Sequence, residues 1–472
     1  MRAGDALVAL ALLQATPAPR PSPAPAPGRP NLLVVLTDDQ DARSLDVMPR
    51  VRRLLADEGV SFGRSFVTTS LCSPSRASLL TGRYAHNHGV RSNLAPLGGF
   101  PGFLAGGHEG SNLATWLRAA GYRTALVGKY LNGYPLPEAP THVPPGWDAW
   151  LATFSPRGSD TYFDYSINEN GRIVSYGRGA ADYSTDVLAA RAVELLREPA
   201  FREAPFFLLL ATAAPHASAT SAPRHEGLFV GLEMPKGPAF DEQDVSDKPA
   251  YVKDQARLGK REVEQVERRY RQRRRSLVAV DELVGGLLSA LQADGRLERT
   301  LVVFTSDNGW FDGEHRFTRG KAAPYEESIR VPLILRGPGV ARGETRDQLV
   351  ANVDLAPTLL ELAGARAPGG LDGRSLVPLL RPAAAPPAAW RSDVLLEYWA
   401  QDPGETVPSF AGLRSADRTY VEYATGEREL YELGVDPFQL RNVYPRADPA
   451  LRRRLAGRLA ALKACRGAAC LD

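Results

Sequence analysis

Five apolar runs stand out along the chain, at residues 32–36, 124–127, 206–210, 301–304 and 331–335. Each is continuous rather than alternating, the pattern of a strand buried on both faces in a parallel sheet. Between them the apolar spacing lengthens to that of helices. Residues 48–60 carry Val51, Leu54 and Leu55 at helical spacing. Residues 111–121 open on a serine suited to an N-cap and close on a glycine suited to a stop. Residues 185–197 are amphipathic, and about 262–293 predict a longer helix with a kink at Gly285-Gly286. Strands alternating with helices predict an α/β doubly wound domain over residues 31–385. Beyond Pro386 the runs shorten to 394–398, 411–414, 419–423 and 429–433, followed by a helical stretch at about 449–463. Residues 386–472 therefore read as a C-terminal subdomain, a small antiparallel sheet with one helix.

Composition narrows the class. The chain has 472 residues, 44% of them apolar and 24% charged, a globular balance with enough length for a sizeable core. Its net charge of +3 gives no reason to expect nucleic acid as a partner, and three cysteines exclude a disulfide scaffold or a Cys-rich zinc module. Only seven of the 57 basic residues are lysines, the mark of a GC-rich, bacterial coding sequence. A lysine is therefore more informative here than an arginine, and the six arginines within 268–275 read as a solvated helix face. At the N-terminus, Arg2, an apolar run at 6–13 and the small residues after it read as a signal peptide over 1–18, with a Pro/Ala-rich linker over 19–30. That predicts a secreted or periplasmic protein. The run is shorter than the roughly 20 residues a span needs. No other segment reads as long and apolar enough, so no membrane span is expected.

The polar residues sit where the strands end. The first strand runs into Thr37-Asp38-Asp39-Gln40, the second into Gly128-Lys129, the third into Ala214-Pro215-His216 and the fourth into Ser306-Asp307-Asn308-Gly309. In an open α/β sheet the carboxyl edge is where ligands bind. Asp38, Asp39, Asp307 and Asn308 are all hard oxygen donors, which suit Ca²⁺ or Mg²⁺ better than zinc. The alternative for the aspartate pair is turn capping.

The longest motif is Leu71-Cys72-Ser73-Pro74-Ser75-Arg76, continued by Leu80-Thr81-Gly82-Arg83. Pro74 suits the first turn of a helix and Gly82 its end, which puts Cys72 at a helix N-terminus. Cys465 and Cys470 could pair locally in an oxidising compartment, leaving Cys72 as the odd thiol. Cys-x-Pro-Ser-Arg followed by Leu-Thr-Gly-Arg resembles the signature of the type I, formylglycine-dependent sulfatases. The opening strand with Asp38 and Asp39, the Thr305–Gly309 segment, and Lys321 ahead of Tyr325-Glu326-Glu327 are similar to other segments of that family. Gly128-Lys129-Tyr130-Leu131-Asn132-Gly133-Tyr134 and Ala351-Asn352-Val353-Asp354 resemble its N-acetylglucosamine-6-sulfatase and heparan sulfatase branch.

The resemblance implies an alkaline-phosphatase-like sulfatase fold: a large, mostly parallel sheet flanked by helices, with a small C-terminal antiparallel sheet plus helix. It implies that a formylglycine-generating enzyme oxidises Cys72 to an aldehyde, hydrated to a diol. One hydroxyl attacks the sulfur of a sulfate monoester, and the other expels sulfate as the aldehyde re-forms. A divalent cation would be held by Asp38, Asp39, Asp307 and Asn308, with the oxidised Cys72 as a further ligand. Arg76 would orient the diol, Lys129 and Lys321 would neutralise the sulfate oxygens, and His216 would protonate the leaving alcohol. The implied substrate is a sulfated carbohydrate such as N-acetylglucosamine-6-sulfate. Alternatives are an aryl sulfate, a phosphonate or phosphate ester, or a glycan-binding protein in which Cys72 stays a thiol. One departure stands out: many members carry a histidine two places after the first lysine, where this chain has Leu131. His86 and His142 are the substitutes to weigh against plain surface roles. His315 reads as either a pocket residue or part of a surface loop.

Overall fold

The strand β1 (Asn31–Thr37) is buried along its whole length. A strand with no wet face needs cover on both sides and partners on both edges. The computed structural model describes residues 28–155, 161–382, 390–401 and 405–471. The expected signal peptide, most of the linker and the 385–386 boundary lie outside these residues. With β1, the strands β2 (Val60–Phe62), β3 (Arg123–Lys129), β4 (Ala149–Phe154), β5 (Ser166–Glu169), β6 (Arg172–Ser175), β7 (Phe206–Ala211), β8 (Thr300–Ser306), β9 (Leu333–Arg336) and β10 (Glu344–Arg346) form one ten-stranded sheet. Their order is β10-β2-β9-β8-β1-β7-β3-β4-β5-β6. The central strands β8, β1, β7, β3 and β4 are parallel, so their carboxyl ends share one edge.

The helices α1 (Cys72–Thr81), α2 (Leu113–Ala119), α3 (Ser184–Arg197), α4 (Lys260–Ala293) and α5 (Leu355–Ala363) cover the two faces. Leu32, Val34 and Leu36 pack with Leu209, Val303 and the apolar sides of α1, α2 and α5. Leu33 and Val35 pack with Leu208, Val302, α3 and α4. Each fully buried side chain of this kind contributes about 1.5–3 kcal/mol. This is the mostly parallel, helix-flanked sheet expected from the apolar runs.

A four-stranded antiparallel sheet follows, β11 (Asp393–Tyr398), β12 (Phe410–Ser415), β13 (Arg418–Tyr423) and β14 (Arg428–Glu432), with the helix α6 (Pro449–Ala464). Its apolar residues join Phe66, Tyr84, Tyr325 and Ile329 in a third core. Cys465 and Cys470 are disulfide-bonded.

Several expectations are corrected. The 48–60 stretch is helical only from Pro49 to Ala56, and Val60 already enters β2. Gly59 passes so close to β9 that a Cβ would lie 2.2 Å from Leu335 O. The cap of α2 is Asn112 rather than Ser111: its side chain accepts from Ala114 N at 2.9 Å while Thr115 Oγ1 accepts from Asn112 N at 3.0 Å. The last apolar run pairs antiparallel to β8 and starts at Leu333, after Pro332, which has no N–H to give a ladder. α4 runs through Gly285-Gly286 as one 34-residue helix. Gly285 serves a close approach, since a Cβ would meet Arg50 Cδ at 2.6 Å. The arginine run on α4 is not uniformly solvated, because Arg273 and Arg274 are only 3% and 2% exposed. Against the expectation of no span-like segment, α4 is long and apolar enough to cross a membrane by length and composition. Its buried apolar residues, among them Leu277, Val280, Leu287 and Leu291, lie in the core against the sheet.

One glycine sets the end of β3. Gly128 has φ +112°, and a Cβ there would lie 1.9 Å from Ala211 O on β7. Gly128→Ala is expected to lower unfolding free energy by about 3 kcal/mol or more, since both backbone strain and a main-chain clash oppose it. Chemical denaturation of the variant beside the wild type measures this.

Candidate active site

The parallel strands deliver their polar ends to one place. Asp38 and Asp39 follow β1, Lys129 ends β3, His216 follows β7, and Asp307 and Asn308 follow β8. Backbone bonds hold these ends together: Asp38 N donates to Ala214 O at 3.2 Å and Asp307 N to Thr37 O at 3.1 Å. Asp39 has φ +67° and donates its N–H to Asp307 Oδ1 at 3.2 Å. The first turn of α1 then brings Cys72 and Arg76 over this edge, and the loop after β8 brings Lys321. All nine residues singled out from the sequence meet here.

Arg76 is buried and forked. Its Nε donates to Asp307 Oδ2 at 2.7 Å, its Nη1 to Lys129 O at 2.9 Å, and its Nη2 lies 3.5 Å from Asp38 Oδ2. Lys129 Nζ donates to Asp38 Oδ2, and Lys321 Nζ to Asp39 Oδ1. Lys321 Nζ also reaches Cys72 Sγ at 2.9 Å, and Cys72 Sγ lies 3.6 Å from Asp38 Oδ1. His216 is the more open group; its Nδ1 lies 2.8 Å from Ala217 O, so Nδ1–H donates there. That leaves Nε2, 3.8 Å from Asp39 Oδ2, as the nitrogen free to exchange a proton.

Electrostatics follow from the dry setting. Burial raises the proton affinity of Asp38, but Lys129, His216, Arg76 and Lys321 outweigh it and hold the carboxyl well below the usual range. Asp39 is likewise lowered, against burial, chiefly by Lys321 and His216. Burial and the neighbouring Asp38 push Asp307 up. Burial and Asp38 also push the Cys72 thiol up to about 11, so at neutral pH it keeps its proton.

The donor set fits a hard divalent cation. Oxygens of Asp38, Asp39 and Asp307 lie within 4.8 Å of one another. Among the described residues, Asp39 Oδ2 and Asn308 Oδ1 are buried acceptors with no hydrogen-bond donor. Converging carboxylate and amide oxygens without donors suit Ca²⁺ or Mg²⁺. Beside them opens a cleft of about 710 Å³ lined by Asp38, Lys129 and His216, with Leu131, Tyr134 and Thr153 among its walls.

Three histidines are placed elsewhere. His86 is tied to Glu397 Oε1 and Cys465 O at 2.8 and 2.9 Å, and His142 to Glu109 Oε1 at 2.8 Å. His315 is neither in this cleft nor on a surface loop: it is buried, bonds Glu242 Oε2 at 2.7 Å and stacks on Tyr325. Sequence reading missed the residues that hold the cysteine turn. Ser73 N donates to Asn93 Oδ1 at 2.8 Å, and Ser73 Oγ to Asn132 Oδ1 at 3.0 Å. Asn132 lies inside the Gly128–Tyr134 motif, which gave it no role; Asn93 had no signal.

A family model described as Sulfatase matches residues 30–365, and one described as N-sulphoglucosamine sulphohydrolase, C-terminal, matches residues 308–464. The chain belongs to the sulfatase family, whose members are sulfuric ester hydrolases. It is 33% identical over 479 residues to an N-acetylglucosamine-6-sulfatase of Homo sapiens, covering 94% of this chain and 86% of that one. Among solved structures it is similar to one described as in complex with its substrate D-glucosamine-2-N,6-O-disulfate (TM-score 0.75, 26% identity, 92% of this chain and 97% of that one). It is also similar to the phosphonate monoester hydrolase of Agrobacterium radiobacter (TM-score 0.73, 25% identity, 92% and 96%).

Arg76→Met would leave the Asp307 and Asp38 carboxylates facing each other without their buried partner. The expected cost is about 3–5 kcal/mol of stability, the range for breaking a buried pair from one side. Arg76→Lys should lose less, since it keeps the charge but not the fork. Urea unfolding of both variants tests the ranking.

Proposed function

We propose that this protein hydrolyses the sulfate monoester of a sulfated sugar, with N-acetylglucosamine-6-sulfate as the first substrate to try, through a formylglycine made from Cys72. The observation that carries the reading is the position of Cys72: its Sγ is 2.9 Å from Lys321 Nζ and 3.6 Å from Asp38 Oδ1, at the edge where the carboxylates converge. An unmodified thiol with its proton held is a poor nucleophile, whereas an aldehyde hydrate supplies a hydroxyl for attack and a second to release sulfate. Asp38, Asp39, Asp307 and Asn308 would hold Ca²⁺ or Mg²⁺, which supplies Lewis-acid stabilisation of negative charge. Lys129 and Lys321 bring ammonium groups to the non-bridging sulfate oxygens. Arg76 fixes Asp307 and the end of β3. His216, at the cleft wall with Nδ1–H held by Ala217 O, would act with a second proton on Nε2 and give that proton to the departing alcohol. In a cleft without a histidine at Leu131, it is the imidazole the site offers.

The C-terminal disulfide and the apolar N-terminal run support export, with maturation of Cys72 by a formylglycine-generating enzyme. We place the catalytic domain at 31–385 and the C-terminal subdomain at 386–472.

The test uses protein co-produced with a formylglycine-generating enzyme, in calcium buffer, beside Cys72→Ala. Sulfate release is measured from N-acetylglucosamine-6-sulfate, other sulfated sugars and an aryl sulfate, and phosphate or phosphonate release from matched esters. The expected result is Cys72-dependent release from the 6-sulfate. The tryptic peptide 65–76 should show loss of H₂S and gain of one oxygen. Release only from another sulfate discards the glucosamine assignment. Faster cleavage of phosphonate or phosphate moves the protein to that chemistry. No turnover with Cys72 converted leaves the binding-protein reading. Chelation should lower activity by about 100-fold or more, with recovery on adding Ca²⁺.

A further inference from the structure

Arg273 is one of the buried arginines in a segment that reads from sequence as solvated. A guanidinium keeps its charge at any ordinary pH, so burying one is costly unless its donors are used. Arg273 uses its two terminal nitrogens on two loops of the active site, while Nε has no hydrogen-bond partner among the described residues and lies 3.8 Å from Asp312 Oδ1. Its Nη2 donates to Asp39 O at 2.6 Å, and its Nη1 to Pro215 O at 3.1 Å. Its guanidinium lies over the Trp310 ring, 4.8 Å from the centroid, two residues beyond Asn308. Asp41 and Asp312 lie within 4 Å and balance its charge. One side chain from α4 thus ties together the loops after β1, β7 and β8.

Each contact bears on an aim. Asp39 sits at φ +67°, a region a non-glycine residue seldom holds without support, and its carbonyl is fixed by Arg273. The Pro215 carbonyl belongs to the peptide that leads into His216. Tyr162 OH donates to His216 O at 2.9 Å, so the His216 backbone is gripped from both sides. Only a fork can reach both carbonyls at once; an ammonium is a single point.

We propose that Arg273 is a positioning residue for the ester-cleaving site, one guanidinium that sets both the aim of the Asp39 carboxylate among the cation ligands and the aim of the His216 imidazole at the leaving group. This rests on the reading of Asp39 as a ligand and His216 as the acid.

The experiment compares Arg273→Met, Arg273→Lys and His216→Ala with the matured wild type. It reads kcat/KM for N-acetylglucosamine-6-sulfate, whose alkyl alcohol is a poor leaving group, and for 4-nitrophenyl sulfate, whose phenol leaves easily. It also reads Ca²⁺ affinity by calorimetry and Tm. For Arg273→Met, the expected loss is about 100-fold on the sugar ester and about tenfold on the aryl ester, because an acid matters most to a poor leaving group. Ca²⁺ should bind about tenfold more weakly, and Arg273→Lys should recover part of both. Equal losses on the two esters with unchanged Ca²⁺ affinity, tracking Tm alone, would overturn the proposal. So would wild-type behaviour in both variants. If His216→Ala treats the two esters alike, the acid reading of His216 fails on its own account. The proposal is then decided by calorimetry: weaker Ca²⁺ binding in Arg273→Met sustains the role at Asp39, and unchanged binding overturns it.

Discussion

Three carboxylates cannot share a dry strand edge unless positive charge is brought to them. Two like charges 4 Å apart repel by about 4 kcal/mol at an effective dielectric constant of 20. Oxygens of Asp38, Asp39 and Asp307 lie within 4.8 Å of one another, close enough for most of that repulsion, and all three residues are almost fully buried. The site is arranged around that repulsion. Arg76 comes from α1, Lys129 from β3 and Lys321 from the loop after β8, each placed on a different carboxylate. The same cations surround Cys72. The groups that let the carboxylates exist without water are, on the reading proposed above, the ones available to a sulfate ester, and two of the acceptors, Asp39 Oδ2 and Asn308 Oδ1, have no hydrogen-bond donor among the described residues.

One of these cations, Lys321, is held from outside the main sheet. Four residues beyond Lys321, Tyr325 donates to the buried Glu429 of β14 at 2.8 Å, and Tyr423 donates to the same carboxylate at 2.5 Å. Lys248 bonds Tyr431 OH at 3.1 Å, and His315, kept neutral by burial, stacks on Tyr325. The C-terminal sheet thus braces the loop that delivers Lys321. A buried polar network of this kind specifies one arrangement when its members are satisfied.

Much of this was legible in the sequence because parallel strands buried on both faces read as unbroken apolar runs, and such strands end at a ligand-binding edge. Asp38, Lys129, His216 and Asp307 could be named from their places just after those runs. β5 and β6 were missed because they are short, carry polar residues and lie at the sheet margin, and β4 was missed although residues 149–152 form an apolar run. Arg273 was misread because burial of a charged residue depends on distant carbonyls, Asp39 O and Pro215 O, which no local pattern reveals. The close approach of Gly285 to Arg50 was not legible because glycine spacing on a helix cannot distinguish a bend from a close approach. His315 was ambiguous for the same reason: its partners, Glu242 and Tyr325, are far from it or unremarkable in sequence.

On the reading proposed above, chemistry and selection lie on different parts of the chain. The reacting groups stand on strand ends and one helix turn, fixed by backbone bonds between strands. The cleft wall comes from the segment after β3, with Leu131, Asn132, Tyr134, Pro135, Leu136 and Pro137, and from the end of β4. Tyr134 is itself locked, its hydroxyl donating to His142 O and accepting from Trp150 Nε1 and Asn168 Nδ2 at 2.6 and 2.8 Å. A wall rich in proline and pinned aromatic groups is rigid, so it selects by shape more than by adaptation. On that reading, the strand-end residues would carry the reaction and the segment between β3 and β4 would shape the fit of the sugar.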